Sequence, residues 1–116
     1  MAITCGTAPA ITRGTTPTIS YKFNIVDPAD IVVAYLTLEQ AGVEPVEKEL
    51  SDAIIESDRL TWRLTQEETL RFHAKHGIAK YPPVKSQLRY RLKDGSAHAT
   101  VISEIPLFSI MKDGEI

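Results

Sequence analysis

One stretch, residues 60–72 (LTWRLTQEETLRF), changes hydrophobic period at its middle, and this constrains the fold more than any other feature of the chain. Leu60, Trp62 and Leu64 point to one side and Thr61, Arg63 and Thr65 to the other, the period of a strand with one buried face. Trp62, the only tryptophan, falls on the apolar side. Gln66, Glu67 and Glu68 break the alternation before Leu70 and Phe72 return. The pattern predicts a strand through the core, then one helical turn or wide loop, with Gln66 or Glu67 capping its backbone donors.

The period of two recurs along the chain. Residues 18–25 set Ile19, Tyr21, Phe23 and Ile25 against Thr18, Ser20, Lys22 and Asn24. Asp27-Pro28 ends that strand, because the proline ring removes a donor and restricts the residue before it; Asp27 or Asp30 is placed to cap a short turn. Residues 31–39 (IVVAYLTLE) are β-branched and aromatic, with Ala34, Leu36 and Leu38 on one face. After a turn at Gln40-Ala41-Gly42, residues 43–50 return with Val46 and Leu50 inward and Glu47 and Glu49 outward, a charged face that suits a sheet edge. Residues 53–56 form a short strand in a hairpin with the Trp62 strand. Residues 86–92 alternate again, Leu88, Tyr90 and Leu92 against Gln87, Arg89 and Arg91. Lys93-Asp94-Gly95-Ser96 predicts a tight primed hairpin turn, with residues 97–105 as the partner strand. Pro106 interrupts pairing and leaves residues 107–111 as an edge strand or bulged continuation.

About seven short strands with no long helical pattern predict an all-β fold, an antiparallel β-sandwich of immunoglobulin-like type, with a small barrel as the other solution. Residues 1–16, rich in Thr, Gly, Ala and Pro, read as an extended or flexible N-terminal arm, and residues 17–116 as a single β-sandwich domain. A chain of 116 residues, 43% of them hydrophobic, builds such a core without covalent staples.

The chemistry of the side chains is sparse. A net charge of -2, without exposed aromatics interleaved among basic residues, disfavours nucleic acid and anionic lipid as partners. No apolar run approaches the roughly 20 residues of a membrane span, and the first residues lack the basic start and apolar run of a signal peptide. Cys5 is the only cysteine, so it offers neither an internal disulfide nor a cysteine-based metal site, and reads as a buried thiol at a subunit contact. His73 and His76, downstream of Glu67 and Glu68, have a spacing that supplies metal ligands on a helix. Here it crosses a strand end and a glycine-containing loop, which predicts solvated histidines. His98 is expected as an exposed strand residue. Glu67 and Glu68 are adjacent on one element and do not face each other across a cleft, as an acid–base pair must. Arg89 and Arg91 share a strand face. With Arg63 and Lys48 they predict a basic stripe on an outer sheet face, balanced by Glu47 and Glu49 or used against a partner subunit. Phosphate loops, hydrolase triads and Cys-x-x-Cys motifs are absent from the sequence. The expectation is a chain that is not an enzyme, with no catalytic residue, cofactor or metal.

Three pieces carry a resemblance: RGTTPTISYKF at residues 13–23, LTQEETLRF at 64–72 and the terminal MKDGEI at 111–116. Together they resemble a group of small proteins encoded in tail and baseplate regions of phages and prophage-like elements of Gram-positive bacteria. The middle of the chain is also similar to the N-terminal β-sandwich of upper baseplate proteins. The likeness runs from about Arg13 to the C-terminus, and its motifs consist of turn and core residues. Glu115 departs from it, since the group often has a small apolar residue there, and so does the loop Lys80-Tyr81-Pro82-Pro83. The resemblance implies a virion structural subunit that works by assembly, located in a tail or tail-like particle built in the host cytoplasm. Its partners would be itself, in a symmetric homo-oligomer, and other tail or baseplate proteins. The expected subunit contacts are Thr15, Thr16 and Pro17 in the arm and Lys112, Asp113 and Gly114 at the end. Two other readings stand beside it: a host-surface carbohydrate-binding or adhesion module with Tyr81 as its ligand loop, and a capsid decoration protein.

Overall fold

A computed structural model of the chain describes residues 4–7, 11–73, 83–108, 110 and 114–116. Two open antiparallel sheets dominate it. The first has the order β1 (Thr4–Thr7), β3 (Thr18–Phe23), β7 (Arg59–Arg63), β6 (Ile54–Ile55). In the second, β5 (Val46–Glu49) pairs with β4 (Ile31–Glu39), which pairs with β8 (Val84–Leu92); β9 (Ala97–Ala99) and β10 (Ser103–Ile105) both pair with the far side of β8. A short parallel pair joins β2 (Ile11–Thr12) to β11 (Leu107–Phe108). Neither sheet closes on itself, so the barrel solution is set aside in favour of a sandwich-like arrangement.

The alternation seen in the sequence decides which faces meet. Ile19, Tyr21 and Phe23 from β3 and Leu60 and Trp62 from β7 are buried against Ala34, Leu36 and Leu38 from β4 and Leu88 and Tyr90 from β8. Phe23 meets Tyr90 edge-on, with ring centroids 5.3 Å apart. Two hydrogen bonds tie the sheets across this core. The Tyr21 hydroxyl and Ser86 Oγ lie 3.0 Å apart, and Trp62 Nε1 donates to the Glu49 carbonyl at 2.9 Å. Each satisfies a polar atom that would be costly to leave unpaired in an apolar core. Burial pushes the Tyr21 phenol above its ordinary pKa, opposed by hydrogen bonds from Ser86 and Thr100.

Local chemistry shapes the connections. Asp27 takes the cap of a single 3-10 turn over Pro28–Asp30, its carboxylate accepting from the Ala29 amide at 3.0 Å. An extra residue in β4 shifts the register between Ile31 and Val33, so Ile31 and Ala34 both face the core. The β8–β9 turn differs from the primed form expected. Only Gly95 has positive φ, 88°, and no non-glycine residue among those described does, whereas a type I′ turn needs two such residues. The Asp94 carboxylate instead accepts from the Ser96 amide at 2.8 Å and the Ser96 hydroxyl at 2.6 Å, which holds a longer loop. The expected partner strand 97–105 is split into β9 and β10, and between them Thr100 bonds to Leu88 of β8 twice, its amide donating to the Leu88 carbonyl at 2.9 Å and its hydroxyl accepting from the Leu88 amide at 3.0 Å. Within residues 1–16 the described parts are hydrogen-bonded into the body: β1 lies along β3, Ile11 is in the core, and a turn over residues 12–15 follows β2.

Candidate functional site

One end of the sandwich is assembled around α1 (Gln66–Leu70), the only α-helix among the described residues. Thr65 begins it. Its hydroxyl accepts from the Glu68 amide at 3.1 Å while Glu68 Oε1 accepts from the Thr65 amide at 2.8 Å, a reciprocal capping box. This corrects the expectation that Gln66 or Glu67 would cap: the box needs an Ser/Thr hydroxyl three residues before a Glu, and Thr65 and Glu68 have that spacing. Lys48 Nζ reaches the same Glu68 carboxylate at 2.8 Å, with both side chains only 14% exposed. Burial opposes ionisation of Glu68, but Lys48 and the Thr65 amide and hydroxyl together hold its pKa below the ordinary value.

The other end of α1 is held from far away in sequence. Arg13 donates from Nε to the Phe72 carbonyl at 2.7 Å and from Nη2 to the Leu70 carbonyl at 3.1 Å. The last carbonyls of a helix have no partner within it, and a guanidinium fork supplies two donors at once. Gly14 follows with φ 74°, and a Cβ there would stand 3.1 Å from Ile110 Cδ1 and 3.7 Å from the Gly114 carbonyl oxygen. The Thr69 hydroxyl donates to the Thr15 carbonyl at 2.9 Å, Arg63 Nη2 to Thr16 Oγ1 at 3.2 Å, and the Leu64 amide to the Pro17 carbonyl at 2.9 Å. Gln66 grips the backbone of Ile116, donating to its carbonyl at 3.0 Å and accepting from its amide at 2.7 Å. Behind this end, the buried Gln40 side chain binds the His73 backbone in the same two-sided way, at 2.9 and 2.6 Å.

The segments around 13–17, 64–72 and 114–116, far apart in sequence, thus converge on one end of the molecule. Of the expected contact residues, Thr15, Thr16 and Pro17 border α1 with their backbone or side chains bonded inside the chain, and Gly114 is exposed beside Gly14. Lys112 and Asp113 lie outside the described residues, as do Tyr81 and His76; for Cys5 only the backbone, in β1, is described. Much of this end is built of side chains that grip backbone, and a grip of this kind holds distant chain segments together. Glu67 and Glu68 diverge: Glu67 pairs with Arg71 at 3.0 Å on the exposed side, Glu68 with Lys48. His73 is exposed, and among the described residues no cluster of His, Cys, Asp and Glu is arranged to hold a metal ion.

The expected basic stripe reduces to two residues. Arg89 and Arg91 stand on the outer face of the second sheet, opposite Tyr35 and Val33 of β4. Lys48 does not join them, because Val46 faces inward and residues two apart share a face; its ammonium emerges at the edge of the sandwich onto Glu68. Arg63 belongs to the other sheet. Neither Arg89 nor Arg91 makes a side-chain hydrogen bond or ion pair with another described residue. Beside them lies a groove of about 200 Å³ lined by Val33, Tyr35, Arg89, Arg91 and Ala97, with Tyr90 and His98 at its side. His98, expected exposed, is half-buried and stacked on Tyr90 with centroids 5.3 Å apart, since it shares the inward register of its partner.

Sequence reasoning missed Arg13 and Gln40, whose roles rest on partners 59 and 33 residues away, and Tyr35. The last was legible: with Ala34, Leu36 and Leu38 inward, Tyr35 must face out. No protein-family model matches the sequence, and no curated protein is similar enough to count as a relative. Among the described residues no helix is long and apolar enough to cross a membrane.

Proposed function

We propose that this chain is a non-catalytic structural subunit of a phage tail or tail-like particle, at the baseplate or tail tip, and that it works by assembly. The observation that carries the reading is the convergence around α1. The three sequence pieces that resemble tail-region proteins are far apart in the chain, yet their described parts meet there and are bonded to one another. A shared motif set that builds one end of a domain is what a docking end requires. In this reading copies associate around a symmetry axis, with Thr15, Thr16, Pro17, Lys112, Asp113 and Gly114 at contacts and other tail or baseplate proteins as neighbours, and the chain resides in the particle. The immunoglobulin-like form of the sandwich belongs to the same proposal. It is supported by two antiparallel sheets packed over a central tryptophan.

The test is electron microscopy of particles from cells that carry the gene, with an antibody against this chain, alongside particles from a deletion strain. Label at one end of a tail, and tails incomplete without the gene, are expected. Complete particles from the deletion strain, free of label in the parent, would overturn the reading.

A further inference from the structure

We propose that the outer face of the second sheet is a self-complementary docking surface for a second copy of this chain, related by a two-fold axis running along β4. This deepens the assembly reading and rests on it in taking copies of the chain as each other's partners.

The surface is ordered in rows. Tyr35 pairs with Arg89 on one side and with Glu49 on the other, so a basic, an aromatic and an acidic residue cross the sheet in line. In the next row Thr37 lies between Gln87 and Glu47. One flank of the face, β8, therefore carries Arg89 and Arg91, and the other flank, β5, carries Glu47 and Glu49. Val33 and Tyr35 lie between them. Tyr35 is 51% exposed and Val32, at the bulge, 43%. Adjacent strands are about 4.8 Å apart, which sets the two charged flanks roughly 10 Å apart on either side of β4.

That order selects both the occupant and the axis. Rotation by a half-turn about a line along β4 brings β8 of one copy over β5 of the other and keeps every row in place. Arg89 of each copy then faces Glu49 of the other, and the two Tyr35 rings meet near the axis. The groove between Tyr35 and Arg89 receives the opposing acidic flank. A half-turn about the perpendicular in-plane axis would set β8 against β8, arginine against arginine, and is excluded by like-charge repulsion. Glu39, also near the axis, is balanced by Lys85, its neighbour on β8, from each copy. A contact of this kind is isologous and closes at two copies. Its centre has the tyrosine and arginine composition of interface anchors.

Sedimentation equilibrium of the full chain tests the assignment. Four variants are compared with the unaltered protein: Arg89→Glu, Glu49→Arg, the double reversal, and Lys22→Glu, which reverses an exposed charge on the other sheet. Thermal melting confirms that each is folded. Each single reversal is expected to weaken self-association by roughly tenfold or more, since like charges face each other twice per dimer. The double reversal is expected to restore it and Lys22→Glu to leave it unchanged. Single reversals without effect, a double reversal no better than the weaker single one, or an unaltered chain that stays monomeric up to millimolar concentration would each overturn the assignment. Association that survives every reversal overturns this face and leaves the assembly reading intact, whereas unlabelled, complete particles overturn the assembly reading whatever the reversals do.

Discussion

The α1 end and the outer face of the second sheet carry similar side chains to opposite effect. Both present arginines and glutamates beside apolar neighbours. At the α1 end every such group is tied down: Arg13 to two carbonyls, Glu68 to Lys48 and Thr65, Gln66 to Ile116. On the outer face Arg89, Arg91 and Tyr35 stand exposed in rows without side-chain partners among the described residues. The first region uses its bonded polar groups to close the chain on itself, so those groups matter to stability whether or not the exposed residues around them meet a neighbour. The second turns its polarity outward, and in the proposed two-fold contact its groups matter to association.

The comparison is most severely tested at Phe72, which is fully buried under the helix end. Phe72→Ala is expected to lower stability by about 3–5 kcal/mol, read by urea unfolding, since a large ring leaves a cavity that the framework fills only in part. A loss near that of a surface residue would mean the α1 end is not part of the cooperative core. Next comes Arg13. Arg13→Ala is expected to cost about 2 kcal/mol, because two helix-end carbonyls lose a charged donor, and Arg13→Lys to recover little of it, since an ammonium does not reproduce the fork. Full recovery by lysine would show that charge, not geometry, holds the end.

A smaller effect is expected from pH. The Glu68 carboxyl is depressed in the folded protein, so its contribution is complete above the ordinary value of 4.5 and disappears as the pH falls through the lower folded-state value. Glu68→Gln should therefore reduce stability at neutral pH and flatten the acid limb of a stability–pH curve; an unchanged acid limb would remove Glu68 from the closure. The smallest effect belongs to the open face: Arg89→Ala measured on dilute protein should change thermal stability by no more than about 0.5 kcal/mol. A larger loss would make Arg89 part of the fold and blur the contrast.

How much of this was legible in the sequence follows from the range of the interactions. Strand faces repeat every second residue, so Ile19, Tyr21, Phe23, Leu36, Leu38, Leu60, Trp62 and Leu88 declared themselves inward, and the structure buries all of them. The same parity placed Lys48 with Val46; grouping it with the arginines neglected that periodicity. The α1 end was illegible for a different reason. A guanidinium that caps a helix 57 residues downstream leaves no periodic mark, and Gln40 in a Gln-Ala-Gly sequence looks like any turn residue until its amide is found against His73. Asp94-Gly95 misled because one glycine at positive φ serves a longer loop as well as a primed turn, and composition does not tell the two apart.

The hydrogen bond from Trp62 to Glu49 makes this protein its own optical gauge. A single indole, fully buried, spans from the first sheet to the backbone of the strand whose other side carries the acidic flank. Separation of the sheets on unfolding breaks that bond and brings the indole into water, so its emission follows the loss of the sandwich without a label.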